Sequence, residues 1–541
     1  MDAMGPWFDG VEYLKEKEPD EVFVAQAKTK KIGIIGGGMS GLMSAHILDS
    51  VGFHDWEIIE ASGRIGGRVH TSYLNATKSN QYQYQEMGPM RFPVSIAYKN
   101  ETIQIQDHRL VFQLADELNK MNGNDSAYTV SFIPWIQSAA NDPASTSKRR
   151  PDGTVPGRAE VAANPAYADN TTATYSNATA VEGAEEAYDN WLGLDQEKVA
   201  EFASNIFRAH KQAVEDGLFD YSESSYLRYK LRTDLNITDQ VDSTSDVSPA
   251  WPYESVYFGA TTWRTIDQGL SRLPAAFGPQ VLNRTRFQTS VQEMSWNATT
   301  RKMAVKFRPS NPFDMSPESV EFDYTIVAVP FSRVRLWRLP AYSSLLSRAI
   351  STLNYEQSCK VALHYKTRFW EHLDRPIIGG CGSSNIPGIG SICYPSYHLN
   401  SSGPGVILAS YSSGTPARSL GALTETQHVA LVQRAMIETH GSIAQEEFTG
   451  AYDRICWENN EFQAGAWCSP MVGQQELYLP AYFRTEMNTV FVGEHTSFTH
   501  AWIWSALESA VRGTTQLLLD MGLVDEAKSV TEKWMARWIS V

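Results

Sequence analysis

Apolar residues fall into short runs and helical stripes that alternate along most of the chain. Ile32–Ile35 is a short apolar run of the kind a buried parallel strand needs. Glycines follow it, then Leu42, Met43, Ala45, Ile47 and Leu48 at helical spacing, then a second strand-like run, Trp56–Ile59. Ile105, Leu110, Val111, Leu114 and Leu118 predict a helix over 104–118, and residues 189–239 return to helix-like patterning. Alternation predicts strands over 286–294 and 303–307, and 324–329 is another buried parallel-type run, stopped by Pro330. Residues 358–363 and 406–411 also read as strands. The run 490–492 ends in Gly493-Glu494, and a helix follows through Leu519. The stretch 138–186 has no such period. It is rich in Ala, Asn, Thr, Ser and Pro, contains Arg149-Arg150, and reads as an exposed insertion, poorly ordered and open to proteolysis.

The punctuation between the first two strands carries chemistry. Gly36, Gly38 and Gly41 form GxGxxG after a strand and at the head of a helix, and Glu60 stands 19 residues after Gly41. Gly36 permits the tight turn, Gly38 lets backbone approach a pyrophosphate, and Gly41 lets helix and strand pack closely. The helix start at Met39 and Ser40 offers free N–H groups and partial positive charge. Glu60 can accept hydrogen bonds from an adenosine ribose and would repel a 2′-phosphate. Next comes Ala61-Ser62-Gly63-Arg64-Ile65-Gly66-Gly67-Arg68. This loop can bring N–H groups and a guanidinium to a phosphate, and its glycines let a flat ring lie against the chain. A nicotinamide dehydrogenase has no need of this second site, so the cofactor expected is FAD. Arg91, between Pro89 and Pro93 in a rigid loop with Gly88 and Met90, suits two-pronged capture of a carboxylate; a surface salt bridge is the plainer alternative for such an arginine.

Composition narrows the field. With 541 residues the chain can form two or three domains, and 42% hydrophobic and 20% charged content is that of a globular protein. A net charge of -15 argues against a nucleic-acid partner, and no apolar stretch approaches membrane-spanning length. The first thirty residues are polar and acidic and carry no secretory signal. Yet nine Asn-x-Ser/Thr sequons, at Asn75, Asn100, Asn124, Asn170, Asn177, Asn236, Asn283, Asn297 and Asn400, suggest a glycosylated, secreted product; an intracellular protein stays open. The five cysteines make no CxxC pair, so no metal site is expected. Cys381 and Cys393 could bridge, but buried free thiols are the simpler reading.

The two glycine-rich loops together with Gly88-Pro89-Met90-Arg91 resemble the flavin-dependent amine oxidase family, its L-amino-acid oxidase branch in particular, with the fungal and lysine-oxidase-like enzymes nearest. The resemblance covers most of the chain, 140–185 excepted. It implies an α/β protein with a Rossmann-like FAD-binding domain (31–72, 251–335 and 485–523). An interleaved mixed-sheet substrate domain would occupy 73–110 and 336–484, and a helical subdomain carrying the 138–186 insertion would occupy 111–250. Residues 1–30 would pack as an extension on the substrate domain, and 524–541 would form a C-terminal helix. The family is commonly a homodimer.

The resemblance also assigns residues. Val291 falls where the family packs backbone against adenine, and Lys360 where a lysine holds a water beside the reactive flavin nitrogen; a solvent-facing edge-strand lysine is the alternative. Tyr411 would deliver a hydroxyl to the substrate carboxylate, with Ser410 the other position but too short to reach. Trp457 would lie against the flavin ring, and Ala466-Trp467 would line the side-chain pocket. Glu494 would bind ribityl hydroxyls, beside Gly493. The Ala501 carbonyl, where the family usually has glycine, would hold the substrate amine, with Trp502 as an aromatic wall and Ile503 at the helix start. The implied reaction is oxidative deamination of an L-amino acid by FAD and dioxygen, giving a 2-oxo acid, ammonia and hydrogen peroxide. Trp467 and Ala466 suggest large neutral or aromatic substrates. Lysine oxidation, with Glu254 as the acid, is an alternative, as are a primary-amine oxidase and a non-catalytic FAD-binding scaffold.

Overall fold

The computed structural model describes residues 21–169, 176–242, 247–309, 311 and 313–534. Its organising layer is a parallel sheet of five strands in the order Thr489–Phe491, Tyr324–Val327, Ile32–Ile35, Trp56–Ile59 and Thr285–Arg286. Segments from the beginning, middle and end of the chain thus lie side by side. The central strand is buried at every position, as expected for a parallel strand covered on both faces. Helices Met39–Ser50 and Ile503–Asp520 pack against each other, and the second is buried along nearly its whole length. Where the expected N-terminal extension is described, Ala27 is buried in the main core and Lys28 pairs with Glu526 of helix Val524–Lys533 at 2.7 Å. Its first twenty residues, and 535–541 at the other end, lie outside the described residues.

A second five-stranded sheet, in the order Cys381–Ser383, Ser391–Cys393, Gly405–Ser413, Ser358–Tyr365 and Phe448–Cys456, is antiparallel and refines the mixed sheet expected. Strand Ser358–Tyr365 lies inside it, buried at all eight positions. Two boundaries move. Residues 101–104 form an edge strand against Phe92–Tyr98, so the helix predicted from residue 104 begins at Arg109. The strand predicted over 286–294 is two strands, because Gln288 turns in the left-handed region and Val291–Asn297 pairs in a separate antiparallel sheet.

Two expectations are corrected outright. Much of the stretch read as poorly ordered is tied down. Asn141 donates to the Pro376 carbonyl at 2.9 Å, Arg149 pairs with Glu438 at 2.5 Å, and Asp142 is fully buried. Helix Ala178–Leu192 starts at Asn177, whose side chain accepts from two backbone N–H groups. Polar residues that suggest disorder by composition serve here as caps and ion-pair partners; Asn170 and its sequon lie outside the described residues. The cysteines are also not free thiols. Cys359–Cys456 and Cys381–Cys393 are disulfides, each joining residues directly opposite in antiparallel register, and only Cys468 stays free, buried. The first closes a separation of 97 residues, a juxtaposition visible only after strand pairing.

Candidate active site

One cavity of about 480 Å³ runs from the C-terminal ends of the parallel sheet to the face of the antiparallel sheet. Gly36, Gly38, Met39, Ser40, Glu60, Ala61, Gly67, Arg68, Gly88, Pro89, Met90, Arg91, Val291, Lys360, Tyr411, Trp457, Ala466, Trp467, Gly493, Glu494, Ala501, Trp502 and Ile503 all line it. Of the residues singled out in the sequence, Arg64 and Ser410 do not reach it, and neither does Gly41. A Cβ there would stand 2.0 Å from the Gly36 carbonyl oxygen, so its place is in the helix–strand contact.

The nucleotide end is made of backbone. Gly36 adopts φ +104°, and a Cβ on it would meet the Ala328 carbonyl at 2.6 Å. Gly38 begins helix Met39–Ser50 with no side-chain cap, and a Cβ on it would meet nothing within 4 Å. The space over Gly38 is therefore open, and the uncapped helix start faces it, which suits a pyrophosphate. The second glycine loop lies against the first: Gly66 bridges Gly38, and Gly66 N–H donates to the Gly37 carbonyl at 2.8 Å. Glu60 is held by N–H donation from Gly37 and Ser62, each at 2.7 Å, and still lines the cavity. Arg64 turns away: its guanidinium donates to the carbonyls of Ile65, Gly67 and Val69. Of the loop's two arginines only Arg68 reaches the cavity, and it pairs with Glu494 at 2.9 Å while donating to the Ala466 carbonyl at 3.0 Å.

Glu494 ties the middle of the site together. Besides Arg68, its carboxylate accepts from Cys468 N–H at 3.1 Å and from Ala501 N–H at 3.1 Å. Burial pushes its pKa up, but Arg68 and the neighbouring His500 and His495 outweigh burial and leave it below the ordinary carboxylate value. Ala501 is held at φ +67°, left-handed backbone in which an alanine is strained by about 1 kcal/mol. This conformation explains why glycine suits the position.

The other end is made of side chains. Arg91 stands in an aromatic box, its guanidinium carbon 5.4 to 5.8 Å from the rings of Trp263, Phe258 and Trp135. Among the described residues no carboxylate pairs with it, and burial lowers its pKa to about 10, so the surface salt bridge is not what is found. Tyr411 lines the cavity near it, whereas Ser410 points the other way and donates to the Ile389 carbonyl at 2.8 Å. Strand alternation separates the two candidates. Lys360, paired in register with Tyr411, is buried and inward: its ammonium donates to the carbonyls of Glu86 at 3.1 Å and Gly88 at 2.6 Å. Burial lowers its pKa to about 7, with Glu86 opposing and Arg91 adding to the fall. Trp457 is pinned by indole donation to the Met87 carbonyl at 2.9 Å, and Trp502 is packed edge-on by His108 and Tyr257.

Some wall residues carry no signal in the sequence. Phe258, Ser358, Ser391 and Ser413 line the substrate half, and Arg308 and Arg333 the nucleotide half. Glu254, raised above only as a lysine-binding alternative, lies one turn before Phe258 on helix Tyr253–Phe258, and both reach the cavity. Their i, i+4 spacing was readable; the helix's position was not.

A profile of the family described as flavin containing amine oxidoreductase matches residues 39–518. An L-amino-acid oxidase of Neurospora crassa is 47% identical, covering 100% of this chain and 79% of the relative. An L-amino-acid oxidase of Siganus canaliculatus is 25% identical over 91% of this chain and 86% of its own. Among solved structures, a putrescine oxidase double mutant superposes with a TM-score of 0.63 at 16% identity, covering 90% of this chain and 99% of that one. That last likeness is one of fold.

Proposed function

The chain belongs to the flavin-containing amine oxidoreductases and uses FAD, and on that footing we propose that it is an L-amino-acid oxidase. It converts an L-amino acid, dioxygen and water to a 2-oxo acid, ammonia and hydrogen peroxide. The observation that carries this reading is Arg91: a guanidinium that meets no carboxylate among the described residues, at the far end of a cavity that begins in a dinucleotide cradle. An unpaired buried cation is costly unless a ligand completes it. A substrate carboxylate does so, and a primary amine would not.

When bound, FAD would supply the hydride-accepting and dioxygen-reducing chemistry. The protein's part is placement and protonation. Gly36, Gly38, Met39 and Ser40 receive the pyrophosphate, Glu60 the adenosine ribose, Val291 the adenine and Trp457 one edge of the flavin. Arg91 and the Tyr411 hydroxyl grip the carboxylate, which fixes the α-carbon's position. The Ala501 carbonyl accepts from the substrate amine, with Trp502 closing one side. Two of the three Lys360 donors are spent on carbonyls, and the third can hold a water at the reaction centre. Trp467, Ala466 and Phe258 give the side chain an apolar wall. Three functional side chains gathered at one end support an enzyme over a scaffold.

Secretion is part of the same proposal. Two disulfides belong to an oxidising compartment, and the eight sequon asparagines among the described residues are all exposed. Among the described residues no helix is long and apolar enough to cross a membrane.

The purified protein should be yellow, bleach without oxygen when given an L-amino acid, and release peroxide in air. If none of the twenty L-amino acids bleached it, or if simple amines did so and amino acids did not, the proposal would be wrong.

A further inference from the structure

Glu254 lines the same cavity as Arg91 and carries the opposite charge. Its carboxyl lines the wall of the substrate half, on helix Tyr253–Phe258, with Phe258 one turn later on the same face. Among the described residues it makes no hydrogen bond and no ion pair, unlike Glu60 and Glu494, whose oxygens are occupied; the remaining acid of the lining, Glu461, acts on Arg333 instead. Burial raises its pKa. The Tyr411 hydroxyl feels both groups, Arg91 more than Glu254. Phe258, one turn from Glu254, has its ring 5.6 Å from the Arg91 guanidinium carbon, so Glu254, Arg91 and Tyr411 face the same end of the cavity.

A bare carboxylate is a poor wall for a site that receives a carboxylate, unless the ligand also brings a cation. Resting on the oxidase reading above, we infer that Glu254 is a specificity residue that favours L-amino acids with a terminal cation, the lysine and ornithine class. The ligand's α-carboxylate meets Arg91 and Tyr411, its methylenes lie along Phe258 and Trp467, and its ammonium reaches Glu254. Such a side chain matches an apolar wall ending in one charge. This turns the preference expected from Trp467 and Ala466 alone: the apolar surface holds the stem and the acid selects the end.

The test uses the holoenzyme with 6-aminohexanoate and hexanoate, which share a carboxylate and chain length but lack an α-amine. Calorimetry and competition against L-leucine turnover are both read. A charge-assisted contact predicts that 6-aminohexanoate binds about tenfold more tightly, and that Glu254→Gln brings the two ligands to parity. The same variant should lower the ratio of kcat/KM for L-lysine over L-leucine by about tenfold, mostly through KM. Retained flavin absorbance and melting temperature verify that the variant is folded. Equal binding of the two acids by the wild type overturns the inference, as does an equal loss for lysine and leucine, which would make Glu254 a partner of the α-amine. Failure of both acids to bind, with no amino acid oxidised, removes the oxidase reading itself and the inference with it.

Discussion

The two ends of the cavity are built on different principles. The nucleotide end is backbone: glycines that a side chain would jam, a helix start without a cap, and one acid pinned by N–H groups. The substrate end is side chains, Arg91, Glu254, Lys360, Tyr411, Trp457 and Trp502, from six separate segments. A backbone cradle is specified locally and tolerates little change. A side-chain constellation depends on the whole fold, and one substitution can retune it without disturbing the rest.

The comparison predicts that variants act on one end at a time. The largest effect is expected from Arg91→Ala. Losing a buried charge-assisted pair to the substrate should lower kcat/KM for L-amino acids about a thousandfold, with flavin content unchanged, as steady-state kinetics and the flavin spectrum would reveal. If flavin were lost too, the ends would not be separable. Next is Gly38→Val. Nothing in the protein touches a Cβ there, so the fold should survive by circular dichroism. The valine would occupy the pyrophosphate's space and weaken FAD binding by about a hundredfold in titration of the apoprotein.

Lys360→Met probes the middle. Because burial lowers the Lys360 pKa to about 7, the ammonium gives way to the amine as pH rises through 7, and turnover should step there. The variant should lose that step and run about tenfold slower, as a pH profile of peroxide release would record. The stability sign follows. Between about 7 and its ordinary 10.5, the unfolded chain holds a proton that the folded one does not, so Lys360 makes folding more favourable as pH rises across that window. Smallest is Ala501→Gly. Relief of left-handed strain is offset by greater backbone freedom in the unfolded chain, so stability should move by less than about 1 kcal/mol in urea titration. Turnover should stay within about twofold, because the glycine supplies the same carbonyl.

These differences also divide what could be read in advance. The βαβ unit from Ile32 to Ile59 was legible to the residue, since strand, turn and helix there are each set by neighbours in sequence. Lys360 was legible as misplaced charge in a strand, but only the interior position of that strand makes it buried. The 138–186 stretch was misread because composition measures apolar content and not the partners polar groups find. The helix expected from 104 starts at Arg109, because 104 ends an edge strand pairing with residues before it and 105–108 turn into the helix.

By itself the sequence determined a dinucleotide cradle, a second glycine loop that points to FAD, and an arginine in a stiff loop. Each is a short-range feature, settled by φ preferences and by residues a few positions apart. Only the tertiary structure decided which arginine of the second loop reaches the cavity and which cysteines meet. It alone decided that Glu254 faces the site, with no partner among the described residues. Those outcomes depend on strand register and helix packing across hundreds of residues, where burial and exclusion of competing partners set each side chain's role.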